Sequence, residues 1–243
     1  LMGWTLSLVF GASAAALITE VAGWRAVYAA LALLGALVLL ALLISPRLGE
    51  RRLAQMASPL TALAVPGIGP ALMVCGGYMA AFYGLYAFLG THLQADLGLE
   101  VWMAGAAPLI YGLGFGAAAV ADPLIDRWGA RVMAPFVYGA LLVLYLGVAV
   151  VSGSALWLLA ACLLWGMINH LGLNLIVGRL AALDPAQRGA ILGLNSGVTY
   201  LAMFLGTPLF GVVQAGWGFA ACALLSADFV LPAVMDALIR RWV

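Results

Sequence analysis

Asn169, His170 and Asn174, in the stretch WGMINHLGLN (165–174), are the residues of this 243-residue chain best suited to moving a proton. Histidine exchanges a proton near neutral pH. On a helix, His170 and Asn174 are four apart and share a face. An ionisable group inside a long apolar run is costly to keep and points to function. The chemistry would be proton movement tied to another event. A polar group bonding between helices, or one near the cytoplasmic water, would give the same pattern. A second set is aromatic: Tyr78, Phe82 and Tyr86 at i, i+4 and i+8, with Tyr83 beside them and Tyr111 further on. Rings carrying hydroxyls give an amphipathic organic molecule a large apolar contact and one polar handle. Helix packing or an interfacial belt would use the same residues. Asn195 and Thr199 share a third face, flanked by Ser196 and Tyr200. Asp228 lies in the middle of the last apolar run, where a bare carboxylate is expensive. It is expected to be a buried, protonated acid bonded to a neighbour. Asp122 and Glu20 lie near the ends of apolar runs and are expected at the interface.

The elements that carry these residues follow from composition. The chain is 66% hydrophobic and 8% charged. Soluble domains are about half apolar and a quarter charged, so the solvent here is a bilayer. The net charge of +1 suggests neither nucleic acid nor an acidic partner. Cys75, Cys162 and Cys222 are odd in number and match no metal or redox spacing, so they read as small apolar residues.

Charged residues divide the chain into apolar runs. Residues 1–19, 26–46, 68–91 and 101–121 each fit one membrane helix, which needs roughly 20 residues. The run 132–178 divides at Ser152-Gly153-Ser154, and 189–239 at Gln214-Ala215-Gly216. Eight transmembrane helices result. The runs do not alternate, which favours helices over barrel strands. Gly112, Gly114 and Gly116, and Gly189, Gly193 and Gly197, are expected to let helices approach closely.

There is no lysine, and the arginines are unevenly placed. One set of loops holds Arg47, Arg51, Arg52, Arg127, Arg131, Arg179, Arg188, Arg240 and Arg241; the other holds Arg25. Lys/Arg-rich loops are cytoplasmic, so both ends of the chain are expected in the cytoplasm. His92, Asp96 and Glu100 fall on the opposite side.

The stretch DPLIDRWGAR (122–131) gathers Asp122, Asp126, Arg127 and Arg131 in one cytoplasmic turn. Asp126 and Arg127 sit at a helix end, where arginine can snorkel and a carboxylate gains from a helix N-terminus. Such charges can latch one end of a helix bundle. A solvated turn that only sets topology is the alternative. The stretch resembles the loop signature of the major facilitator superfamily, Gly-x-Leu-Ala-Asp-Arg-x-Gly-Arg-Arg/Lys. Asp126, Arg127, Gly129 and Arg131 match it; Asp122 stands at its first Gly and Ala130 at an Arg. GWRAVYA (23–29) resembles the external turn between helices 5 and 6 of the drug and sugar efflux branches. RGAILGLNSGVTYLAMFLGTPLFG (188–211) resembles their helix 11. FGASAAALITE (10–20) lacks the Gly-Pro motif found in helix 5 of many antiporters.

The resemblance implies an all-α polytopic membrane protein. It places this loop between helices 8 and 9, so the chain runs from helix 5 to helix 12, the C-terminal two-thirds of a twelve-helix fold. Residues 1–44 would be the last two helices of the N-terminal half, 45–66 the central cytoplasmic loop and 67–243 the six-helix C-terminal half. The implied function is secondary active transport by alternating access: proton-coupled efflux of a drug, sugar or metabolite, with uptake of a small metabolite as the alternative. The implied setting is the bacterial inner membrane, with a protein that is monomeric when complete. Tyr78, Phe82, Tyr86, Tyr111, Asn169, His170, Asn174, Asn195 and Thr199 are candidates for the substrate or proton pathway; Asp122, Asp126, Arg127, Gly129 and Arg131 form a candidate gate loop. No cofactor, metal or nucleic acid is expected. Nothing resembles a nucleotide-binding loop or an H-E-x-x-H motif, so an intramembrane enzyme is remote. A receptor without transport is a further remote alternative.

Overall fold

The computed structural model of the chain describes residues 11–44 and 58–239. Arg47, Arg51, Arg52, Arg240 and Arg241, most of the first expected span and the Glu20 side chain lie outside the described residues. All regular structure in the described part is helical. Without water in a bilayer core, every backbone N–H and C=O must be satisfied within its own segment, and an apolar helix achieves this.

Helix α1 (Ala12–Ala22) meets α2 (Trp24–Ile44) at Gly23. A single turn, α3 (Pro59–Ala62), is capped by Ser58, whose Oγ accepts from the Leu60 N–H at 3.2 Å. Helix α4 (Ile68–Thr91) continues into a π-helical turn, His92–Asp96. Helix α5 (Val101–Ala117) tightens into a 3-10 turn, Ala118–Ala121, and leads into α6 (Asp122–Trp128). Then come α7 (Ala130–Val151), α8 (Ala155–Leu183) and α9 (Arg188–Ile239). Gly218 divides α9 into an arm α9a (188–217) and an arm α9b (219–239).

Among the described residues, six segments are long and apolar enough to cross a membrane: Trp24–Ile44, Ile68–Asp96, Gly105–Trp128, Ala130–Val151, Ala155–Leu183 and Pro185–Ile239. The last has 55 residues, more than twice the roughly 20 that one span needs. The division expected at Gln214-Ala215-Gly216 falls instead at Gly218, with φ 79° and ψ −177°. Only glycine enters that region without strain, so 214–216 stay in the helical ladder and the chain turns two residues later. Gly129 has a similar conformation, φ 81° and ψ 149°, and joins α6 to α7. Its N–H donates to Ile125 O at 2.8 Å while its own carbonyl accepts from Met133 N at 3.1 Å. The expected turn at 152–154 is present.

Helix α4 lies at the centre and packs along both arms of α9; α5 packs on α8, and α7 on α8 and α9. The α5–α8 crossing is close because it has no side chains at two points. A Cβ on Gly114 would collide with the Leu163 backbone, and one on Gly166 with the backbone of Tyr111 and Phe115. The stripe Gly189, Gly193 and Gly197 does not pack in this way: a Cβ on any of the three meets nothing within 4 Å. Helix α2 has no buried residue, and α1 meets the bundle at α5. The three cysteines are buried and unpaired.

Candidate functional site

The chain brings the turn after α5 against the middle of α8. Pro123 occupies the first turn of α6, where a missing N–H costs nothing, and Asp122 opens that helix. Its carboxylate Oδ1 lies 2.9 Å from His170 Nε2 and accepts from Asn174 Nδ2 at 2.6 Å. His170 and Asn174 lie one turn apart on α8, with these two nitrogens 3.2 Å apart. With Asp122 ionised, the His170 proton sits on Nε2. His170 Nδ1 is buried and has no hydrogen-bond partner among the described residues. A second proton on the ring would have to sit there. Phe115 closes against the imidazole in a T-shaped contact, with centroids 4.8 Å apart. The His170 side chain is 3% exposed and that of Asp122 40%. The cluster thus has one buried end and one exposed end.

Deeper along α8, Asn169 joins three helices. Its Nδ2 donates to the Tyr111 hydroxyl at 2.8 Å, and Tyr78 donates to its Oδ1 at 2.7 Å. All three residues are fully buried. Phe82 packs beside them, within 5.6 Å, centroid to centroid, of Tyr83, Tyr86, Tyr111 and Trp165. The Trp165 indole donates to the Tyr145 hydroxyl at 3.1 Å. Tyr78, Phe82, Tyr111 and Asn169 are therefore packed together, while Tyr86 remains partly exposed. Asn195 and Thr199 belong to a separate patch. There the Cys75 thiol donates to Asn195 Oδ1 at 3.0 Å and lies 3.7 Å from Thr199 Oγ1. Burial of Thr199 and partial exposure of Asn195 make this a seam between α4 and α9a.

In the charged loop, Asp126, Arg127 and Arg131 are exposed and form no ion pair among the described residues. Gly129 supplies the corner described above. Arg127 instead borders a hollow of about 650 Å³ together with Trp128, Val132 and Phe136. A second hollow of about 280 Å³, between α4 and α9, is lined by apolar residues such as Ala80, Leu205 and Phe229.

Two expectations are corrected. Asp228 is not a buried acid; it is exposed and forms no ion pair or hydrogen bond among the described residues. The buried face of α9b is Ser226, Ala227, Val230, Ala233 and Ala237, and Asp228 points away from it by helical geometry. Arg179, counted above with the loops, lies inside α8 and pairs through both guanidinium nitrogens with Asp236 of α9b. Their side chains are 14% and 9% exposed. Sequence reading missed this pair. The available signal was an acid and a base, each about one turn inside the Arg-rich end of an apolar helix.

Comparison with known proteins agrees with the site's setting among membrane helices. The family model described as Major Facilitator Superfamily matches residues 1–207. The "Uncharacterized MFS-type transporter YwfA" of Bacillus subtilis (strain 168) is 31% identical over 166 residues, covering 68% of this chain and 40% of that protein. The "Uncharacterized MFS-type transporter YbcL" of the same organism is 25% identical over 251 aligned residues, covering 98% of this chain and 62% of that protein. The chain thus spans less than two-thirds of the length of either relative. On its match to the family model, this multi-pass, helical membrane chain belongs to the major facilitator superfamily, a family of transporters and not of enzymes.

Proposed function

We propose that this chain is the helix 5 to helix 12 portion of a secondary transporter that couples proton movement to efflux of a small organic compound. Eight spans fit that portion, with the two arms of α9 as the last two. Residues 1–44 then belong to the N-terminal half, 45–66 to the central loop and 67–243 to the C-terminal half. The arginine distribution supports cytoplasmic ends in a bacterial inner membrane, and the complete protein is taken to act as a monomer.

The observation that carries the coupling is the Asp122–His170–Asn174 cluster. A carboxylate and an imidazole in contact can hold one proton or two, and the change alters what holds α6 to α8. In the one-proton state, two bonds to Asp122 Oδ1 fasten the Arg-rich end. Protonating the carboxylate weakens both, because charge-assisted bonds are roughly twice as strong as neutral ones. Rocking of one half against the other about a midplane site would follow from that release. Tyr86 and Tyr83 are the partly exposed rings best placed to meet an amphipathic substrate.

The test is reconstitution of the full-length protein in liposomes with a trapped pH indicator and a panel of fluorescent organic cations, sugars and amino acids. An imposed pH gradient should drive at least one compound against its own gradient, and a protonophore should abolish that movement. Flux of the carried compound that ignores the pH gradient would rule out proton coupling.

A further inference from the structure

At the end of the bundle opposite Asp122, α4 closes with a π-helical turn, His92–Asp96, marked by the Leu97 N–H bond to His92 O at 3.1 Å. Such turns are rare and often mark functional sites. This one sets His92 against Asp96, with Nδ1 2.6 Å from Asp96 Oδ2. The other ring nitrogen, Nε2, lies 2.8 Å from the carbonyl oxygen of Ser152, in the turn between α7 and α8. The ring also stacks on Phe219, the first residue of α9b, with centroids 4.4 Å apart and planes 5° from parallel. One imidazole therefore touches three separate helix ends. Gln214, at the end of α9a, adds a longer contact, its Nε2 3.5 Å from Asp96 Oδ2.

Donor and acceptor counting fixes the protons. A carbonyl oxygen can only accept, so Nε2 must carry a hydrogen. An ionised carboxylate can also only accept, so the 2.6 Å contact needs a second hydrogen, on Nδ1 or on Asp96 Oδ2. We propose that His92 and Asp96 form a proton-binding site that locks this end of the bundle: the geometry holds two protons across the pair, and loss of the second puts the bare Nδ1 lone pair against a carboxylate oxygen. That repulsion would release the ring from the Ser152 turn and from Phe219. Among the described residues, Asp96 is the titratable side chain that bonds to His92; the α7–α8 turn presents a carbonyl, α9b an aromatic ring and α9a the neutral Gln214. Glu100 is the other carboxylate of this loop and lies exposed at the start of α5. The His92 side chain is 9% exposed and that of Asp96 48%, so protons can reach the pair from solvent. The site is distinct from the Asp122 cluster and does not depend on which compound is carried.

Hydrogen exchange of the full-length protein in detergent or nanodiscs, corrected for intrinsic rate, tests the lock without any substrate. Raising the pH from about 6 to about 8.5 should speed exchange in the segments 92–99 and 150–156 roughly tenfold. In His92→Gln, whose amide can still donate to Ser152, this pH response should vanish. As a check on the wild type itself, nitrogen NMR of labelled histidine, assigned by difference from His92→Gln, should show hydrogens on Nε2 and in the Nδ1–Asp96 bond at the lower pH. A bare Nδ1 that accepts no proton there, or the same pH response in wild type and His92→Gln, would overturn the proposal. Failure of the transport assay above would leave this result untouched.

Discussion

His170 Nε2 lies 2.9 Å from Asp122 Oδ1, although the two residues are 48 apart in the chain. The contact joins the corner that ends α5 to the middle of α8. No separation of these two elements is possible without breaking it and the parallel bond from Asn174.

Charge and shape at Asp122 can be separated. Asp122→Asn keeps an oxygen that accepts from His170 and Asn174 but removes the negative charge. The variant should insert and fold like wild type, while gradient-driven transport by the full-length protein falls by roughly tenfold or more and loses its pH dependence. Asp126→Asn, at an exposed residue with no ion-pair partner among the described residues, should have the smaller effect. Vesicle transport rates for the two variants measure the difference.

Much of the frame was legible in the sequence because bilayer thickness and turn residues act locally. The Ser152-Gly153-Ser154 turn and the glycine of the 122–131 loop fell where local chemistry puts them. The divide of α9 was missed by two residues because Gly216 and Gly218 are indistinguishable in composition; only the backbone shows that Gly218 takes the turn. Asp122 and His170 were each singled out, but as members of different groups. Their contact depends on how α5 crosses α8, which Gly114 and Gly166 set through backbone approach. Asp228 was misjudged because depth along a helix says nothing about which face a residue occupies.

The Arg179–Asp236 pair ties α8 to α9b in a buried setting. Removing one partner takes the opposite charge away from the other in a buried setting, at a cost of about 3–5 kcal/mol. Arg179→Met should therefore lower the thermal unfolding temperature of the full-length protein in detergent by several degrees. The double variant Arg179→Met/Asp236→Leu should recover most of the loss, which a thermal-shift assay reads directly.

Close helix approach predicts a contrast between glycines. Gly166→Val drives a side chain into the Tyr111 and Phe115 backbone and should destabilise by about 2–3 kcal/mol or prevent folding. Gly193→Ala meets nothing within 4 Å and should leave stability unchanged within about 0.5 kcal/mol. Yield of monodisperse protein and its unfolding temperature distinguish the two.

Gly218→Ala tests the backbone alone, since an added Cβ there also meets nothing within 4 Å. The strain at φ 79° and ψ −177° should cost about 1–3 kcal/mol. Gly216→Ala, inside the helical ladder, should be neutral or slightly stabilising. Comparison of their denaturation midpoints checks the assignment of the break.

Proton coupling through His170 is decided by the number of protons moved per substrate molecule. Full-length wild type and His170→Gln are compared in proteoliposomes, using whichever compound the panel shows to be carried. Wild type should move about one proton per substrate, and the variant should carry the compound downhill with no proton movement. An unchanged proton-to-substrate ratio in His170→Gln would contradict the coupling role of the Asp122–His170 pair.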